Sequence, residues 1–138
     1  MNWKLIFLLA GLGVIMGVGT LYGATRDMEP LLWLAIGVYC AFMLSRRAGH
    51  SFFTHGLLTG LFISVLHFAI LLVFYASYEV NNPPSVELVR EHGNIMVRRQ
   101  LFLYAALVII PAASLVMGLL SLGADRLLNK FAKGLRRG

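Results

Sequence analysis

The sequence predicts an all-α integral membrane protein, a bundle of four transmembrane helices with both ends of the chain in the cytoplasm. Hydrophobic residues make up 59% of the 138 residues and charged residues only 13%, whereas a soluble domain is usually about a quarter charged. Four long apolar segments are separated by polar breaks, and basic residues concentrate on one side of them. The composition argues against a soluble enzyme and against intrinsic disorder.

Four segments of a single membrane domain, residues 1–138, are long enough to form these helices, because a bilayer core needs about 20 apolar residues. The first, about 5–22, carries no charge. The second, about 30–47, begins at a proline suited to a helix start and ends in two arginines that can extend to the headgroups. The third, about 51–78, also carries no formal charge, and the fourth, about 99–123, contains a proline that membrane helices tolerate.

Positive charge predicts the orientation of the bundle. With four spans, eight of the 12 Lys and Arg residues fall on one side of the membrane and four on the other. The positive-inside rule places the richer side, with both ends of the chain, in the cytoplasm. The net charge of +6 is therefore attributed to membrane orientation, and no nucleic-acid partner is expected.

The C-terminal segment, about residues 124–137, is predicted to form a basic amphipathic surface helix. Its leucines and phenylalanine recur at helical spacing, and the positions between them hold Arg126, Lys130, Lys133, Arg136 and Arg137. Such a helix is expected to lie on an anionic inner leaflet. An orientation anchor is the simpler interpretation, and docking of a cytoplasmic partner is the alternative. A short interfacial helix is also expected over 86–92.

Small residues recur at four-residue spacing on three of the predicted helices. They are Gly13 and Gly17 on the first, Gly56, Gly60 and Ser64 on the third, and Ser114 and Gly118 on the fourth. In a bilayer, close approach of two backbones drives helix association. Packing within one bundle is the simpler interpretation, and dimerisation through one of these faces is the alternative.

His67 is the candidate for a functional polar site. It follows Ser64 by three residues and Gly60 by seven, so it is expected to share their helix face and to point into the bundle. An ionisable group at membrane depth indicates a functional site, through proton relay, ligand contact or metal contact. The alternative is a structural role, in which a neutral imidazole bonds to a backbone carbonyl or to a serine such as Ser114.

The sequence contains no pattern that indicates an enzyme. It lacks a phosphate-binding loop, GxSxG, HExxH and a dinucleotide fingerprint. A single cysteine, Cys40, excludes a multi-cysteine metal site. No acidic residue lies inside the predicted spans, which argues against a proton-coupled transporter. No catalytic residue, cofactor or metal ion is assigned.

One stretch resembles a known family. Phe53 and Gly56 lie at the start of the third predicted helix, Thr59-Gly60 follows them, and Asn82-Pro83 comes after the helix. This pattern, mainly over residues 51–123, resembles the bacterial four-helix membrane family catalogued as domain of unknown function 4199. The resemblance implies a four-span topology in a bacterial inner membrane. That family has no assigned activity, so the resemblance implies no catalytic residue.

The expected function is that of a small non-enzymatic inner-membrane protein. It would pack with itself, as a homo-oligomer, or serve as an accessory or scaffold subunit of a larger membrane complex. The alternative is a small oligomeric transporter or channel with His67 in the pathway. Water-accessible positions around His67 would favour transport, and a dry bundle would favour packing.

The predicted topology can be tested with a reporter that is active only in the periplasm. Fused after Asn94, the reporter should be active, and fused after Gly138 it should be inactive, because the fourth span separates the two positions. Reporter activity in intact cells gives the answer. The opposite pattern would contradict either the number of spans or their orientation.

Overall fold

Five helices make up the part of the chain that the computed structural model describes, residues 1–83, 87 and 94–135, with the backbone alone for 131–135. They are α1 (Trp3–Leu21), α2 (Glu29–Arg47), α3 (Phe52–Val73), α4 (Tyr75–Asn81) and α5 (Ile95–Leu135). All except α4 are long and apolar enough to cross a membrane. The predicted all-α class with four apolar helices is therefore confirmed.

The predicted third helix, 51–78, is divided in two at Phe74. This residue adopts φ −103° and ψ 34°, outside the range of a regular α-helix. Neither proline nor glycine occurs near the break, so the local sequence does not indicate it. The short α4 that follows directs Tyr75, Tyr78 and Glu79 towards the protein interior.

The predicted fourth span, 99–123, and the predicted surface helix, 124–137, form one continuous helix in the structure. This helix, α5, has 41 residues and no boundary at residue 123. It begins earlier than predicted because the Asn94 side chain accepts hydrogen bonds from the backbone N–H groups of Met96 and Val97. Beyond residue 123, Asn129 donates to Asp125 Oδ1 at 3.0 Å across one helical turn. The short helix expected over 86–92 lies outside the described residues, apart from residue 87.

The central element is α3, which packs most extensively on α5 and α1, whereas α2 packs chiefly on α5. Two glycines bring α1 against α3. A Cβ atom at Gly13 would overlap the carbonyl oxygen of Ile63, and one at Gly17 would lie 3.3 Å from the Cα atom of His67. The backbones of the two helices are thus in direct contact, which larger side chains would prevent.

Glycines also bring α3 against α5. A Cβ atom at Gly56 would lie 2.7 Å from the carbonyl oxygen of Met117, and one at Gly60 would lie 2.8 Å from the Met117 Cβ atom. On α5, a Cβ atom at Gly118 would lie 2.9 Å from the Phe53 ring. Small residues therefore form both faces of the α3–α5 contact.

The end of α1 is held by two asparagine side chains from the end of α4. Asn82 is buried and donates to the Thr20 carbonyl at 2.8 Å, and Asn81 donates to the Leu21 carbonyl at 3.0 Å. Both carbonyls belong to the last turn of α1, where intrahelical partners are missing. Gly23 follows with φ +70°, and a Cβ atom there would lie 2.7 Å from the Asn81 carbonyl oxygen. This turn therefore requires glycine.

An ion pair joins α4 to the start of α5. Arg98 Nε lies 2.7 Å from Glu79 Oε1, and Arg98 Nη2 donates to Glu79 Oε2 at 3.2 Å, a two-point contact. The rings of Tyr75, Tyr78 and Phe102 pack beside it. Burial and the Glu79 carboxylate raise the pKa of the Tyr75 hydroxyl, against an opposing effect of Arg98. The pair and the rings close this end of the bundle.

His55 joins the start of α3 to the start of α1. The side chain is buried, its Nε2 accepts from the Asn2 backbone N–H at 2.9 Å, and its Nδ1 lies 3.0 Å from the Ser51 carbonyl oxygen. A neutral ring with its proton on Nδ1 satisfies both contacts. His55 is therefore a structural histidine.

Replacing Gly60 by Leu should destabilise the bundle strongly, because the new side chain must displace Met117 and the Ser114 backbone. Overpacking of this kind costs about 1–3 kcal/mol. The control is Gly11→Leu, since a Cβ atom at Gly11 meets nothing within 4 Å. Thermal melting in mild detergent should fall for Gly60→Leu and change little for Gly11→Leu. Equal effects would contradict a close α3–α5 contact at Gly60.

Candidate functional site

His67 is buried on α3, with 3% of its surface exposed. It lies six residues before the end of the helix at Val73, or about 9 Å along the helix axis. The sequence placed it near the middle of a longer helix, and the break at Phe74 accounts for the difference. His67 is therefore within reach of groups at the same end of the neighbouring helices.

Glu29 brings a carboxylate next to His67. It is the first residue of α2, and its Oε1 atom lies 3.8 Å from His67 Nε2. Trp33, one turn along α2, donates its Nε1–H to the same oxygen at 3.4 Å. Glu29 precedes the predicted second span by one residue and is the first residue of the apolar α2, so its carboxylate lies at the end of a span. The four-residue spacing of Glu29 and Trp33 was the signal in the sequence, because it places both on one helix face.

The imidazole of His67 is held by ring contacts and makes no hydrogen bond within the described part of the chain. The 3.8 Å separation from Glu29 exceeds hydrogen-bonding distance, and the buried Nδ1 atom has no partner. The Ser114 hydroxyl, suggested by the sequence as a partner, donates instead to the Ile110 carbonyl on its own helix at 2.7 Å. The Trp33 and Phe68 rings meet the imidazole edge to face, with centroids 5.1 and 5.3 Å away.

A cavity of about 520 Å³ lies between α2, α3 and α5, and His67 forms part of its wall. Two glycines, Gly37 and Gly60, and Ser64 also line it. Side chains on α2 and α5 such as Leu34 and Val116 make most of the remaining wall apolar. A volume of this size is typical of sites for small organic ligands.

The polar groups of the cavity lie at one end. Glu29 and Trp33 come from the first turns of α2, and His67 comes from the last turns of α3, which runs in the opposite direction. The other end is formed by residues such as Gly37, Gly60 and Leu120. Glu29 carries the one formal charge among the lining residues, which include no lysine or arginine. The site thus combines an acidic, aromatic end with an apolar body.

Three of the five basic residues predicted to contact lipid lie on the last part of α5. Arg126 and Lys130 are exposed. Lys133 belongs to the helical backbone of α5, whereas Arg136 and Arg137 lie outside the described residues. Arg126 and Lys130 do not line the cavity, whose wall on this helix ends at Leu120.

Across the described residues, no group of three or more His, Cys, Asp and Glu side chains is arranged to hold a metal ion. The pair of Glu29 and His67 supplies two ligand types without a third. Cys40 is buried on α2 as a free thiol and does not line the cavity. Glu29 and His67 are the groups in the cavity wall that are suited to binding a polar ligand or exchanging a proton.

No protein-family model, curated protein or solved structure matches this chain. The resemblance to the uncharacterised four-helix family stays a prediction. Two of its motif positions have defined contacts here, since Gly60 meets α5 and Asn82 caps α1. Function has to be argued from the chain's own geometry.

The two buried histidines of α3 should respond differently to replacement by leucine. His67→Leu should leave stability nearly unchanged, because no hydrogen bond is lost and the unsatisfied Nδ1 is removed. His55→Leu should cost about 1–3 kcal/mol, because it removes the acceptor of the Asn2 N–H and the side-chain contact with the Ser51 carbonyl. Thermal melting in detergent compares the two. A large loss with His67→Leu would mean that His67 has a structural role.

Proposed function

We propose that this chain is a small, non-enzymatic, multi-pass protein of the bacterial inner membrane. It packs with copies of itself or as an accessory or scaffold subunit of a larger membrane complex. The observation that carries this proposal is a tyrosine, Tyr39, on the outer face of α2. The sequence analysis did not single it out.

Tyr39 is 51% exposed and lies ten residues after the start of α2, or about 15 Å along the helix. That distance is half the thickness of a bilayer core of about 30 Å. Its hydroxyl has no partner among the described residues, and lipid chains offer none. Tyrosine rings usually lie at the headgroups. An adjacent helix that covers Tyr39 and accepts its hydrogen bond would remove this cost.

The helix that carries Tyr39 is also the least covered span. In the apolar 18-residue stretch of each helix, 22% is buried within the chain for α2, compared with 50% for α1. Around Tyr39, the outer face of α2 forms a shallow apolar groove with Leu31, Leu34, Ala35, Val38 and Phe42. A groove of apolar side chains around a tyrosine is suited to receive the ridge of another helix. This face of α2 is the proposed contact between subunits.

The proposed orientation follows from charge. The last turn of α2, with Arg46 and Arg47, and the basic end of α5 face the cytoplasm together with both ends of the chain. The exposed Arg126 and Lys130 support contact of the last part of α5 with an anionic inner leaflet. Membership of the uncharacterised four-helix family is part of the same proposal.

A second candidate function is that of a small oligomeric transporter or channel with His67 in the pathway. The specific observation in its favour is the Glu29 carboxylate, 3.8 Å from His67, beside a partly open cavity. Membrane-embedded carboxylates and imidazoles are the groups that proton-coupled transporters use. Cysteines introduced around His67 can be tested with water-soluble thiol reagents. This experiment separates the two functions, because these positions would be in contact with water only if they lined a transport pathway.

Subunit contact through α2 can be tested by disulfide cross-linking in native membranes. In a Cys40→Ala background, Tyr39→Cys should give oxidised dimers, because a two-fold contact brings the same residue of both copies together. Ile15→Cys is the matched control, since Ile15 is 69% exposed on α1. A photoreactive residue at position 39 extends the test to other partners, identified by mass spectrometry. Equal or absent cross-linking at both positions would contradict the proposal.

A further inference from the structure

The cavity between α2, α3 and α5 has a composition that selects for one kind of ligand. We propose that it binds an amphiphile with an ammonium head, which lies between Glu29 and His67, and an apolar chain, which extends towards Gly37. This inference goes beyond the proposed subunit contact, because the cavity shares Leu34 with that face of α2 but does not include Tyr39.

The polar end of the cavity offers acceptors and negative charge. Glu29 is 30% exposed and uses one carboxylate oxygen for Trp33. The imidazole of His67 is 3% exposed, and its Nδ1 atom has no partner among the described residues. With the ring proton on Nδ1, the Nε2 atom, which lies 3.8 Å from the carboxylate oxygen, is an acceptor. An ammonium group supplies donors to both residues and neutralises Glu29.

An anionic head does not fit this end. No lysine or arginine lines the cavity, so a phosphate or sulfate there would face Glu29 without a counter-charge. The aromatic residues favour a cation as well. Trp33 and Phe68 both line the cavity, and aromatic ring faces attract ammonium groups. Both the negative charge of the cavity and its aromatic rings therefore favour a cationic head.

The body of the cavity is suited to a hydrocarbon chain. Along α2 it extends from Glu29 to Gly37, or about 12 Å. Its outer wall includes Val116, which is more than half exposed on the surface of the bundle and lies outside the proposed subunit contact. That surface would face lipid chains in a bilayer, so the cavity opens sideways towards the hydrocarbon. The ligand therefore enters from the membrane and has to be lipid-soluble.

Two sources supply this chemistry, the amine-bearing headgroup of a membrane lipid and a free lipophilic amine. Both present a primary ammonium on an apolar body. In a phospholipid the phosphate lies between the ammonium and the acyl chains, so such a lipid would insert its ammonium end and keep its phosphate and chains outside the cavity. The experiment therefore includes one arm for each source.

Trp33 provides a direct signal for binding, because the chain contains two tryptophans and the other, Trp3, stacks on Phe7 away from the cavity. In a Trp3→Phe protein in maltoside micelles, dodecylammonium should change the Trp33 emission in a saturable way. Dodecyl sulfate is the control for an apolar chain with the opposite charge. Its half-saturation concentration should be at least about tenfold higher, as expected for loss of a charge-assisted hydrogen bond.

Two pairs of proteins test the assigned contacts. Glu29→Gln should raise the half-saturation concentration for dodecylammonium about tenfold relative to the parent protein. Ala113→Phe should abolish the signal by filling the cavity, whereas Ala112→Phe should not, because Ala113 lines the cavity and the exposed Ala112 does not. Thermal melting verifies that each variant is folded. If Glu29→Gln misfolds, the Ala113 and Ala112 pair still decides.

The last arm identifies the source of the ammonium group. Phosphatidylethanolamine added to the micelles should compete with dodecylammonium if the natural ligand is a lipid. Absence of competition, with saturable dodecylammonium binding retained, assigns the site to free lipophilic amines. Equal responses to dodecyl sulfate and dodecylammonium, or unchanged binding in Glu29→Gln and Ala113→Phe, would overturn the proposal.

Discussion

Direct backbone contact between α3 and its two neighbours is the constraint on which the rest of the bundle depends. In a bilayer, burial of apolar side chains gives helices little reason to associate, because lipid chains are equally apolar. Closely packed helices instead gain many short dispersion contacts. Gly13 allows α1 to contact α3 on one side, and Gly56 and Gly60 allow α5 to contact α3 on the other. The cavity lies where α2 packs chiefly on α5 and less closely on α3, beside Gly60, Ser64 and His67.

Among the described residues, the polar contacts that join one helix to another lie at the ends of the bundle. The Asn82 amide satisfies a carbonyl at the end of α1, and His55 joins the starts of α1 and α3. The Glu79–Arg98 pair fixes α4 against α5. Near the bilayer surface these polar groups remain close to water, so burying them costs less free energy than it would at the middle of a span. Glu29 and His67 differ from them, because they are close together without a hydrogen bond.

Much of the fold follows from the sequence, because hydropathy is a local property. The four apolar helices were predicted within a few residues at most ends, and the glycines of α1 and α3 were recognised by their spacing. The break at Phe74 was not predictable, because no local residue requires it and it positions Glu79 and Asn82 for partners elsewhere in the chain. The candidate site was predicted only in part. His67 was identified, but Glu29 is 38 residues away in sequence and was assigned to a turn.

The uninterrupted course of α5 has a mechanical consequence. Its 41 residues correspond to a rod of about 62 Å, roughly twice the thickness of a bilayer core. Ala113 and Leu120, in the cavity wall, lie between Pro111 and the basic end of the same helix. No proline or turn separates the wall from Arg126 and Lys130. Because the helix is continuous, we expect a tilt imposed on its basic end to move the residues of the cavity wall and so to change the width of the cavity.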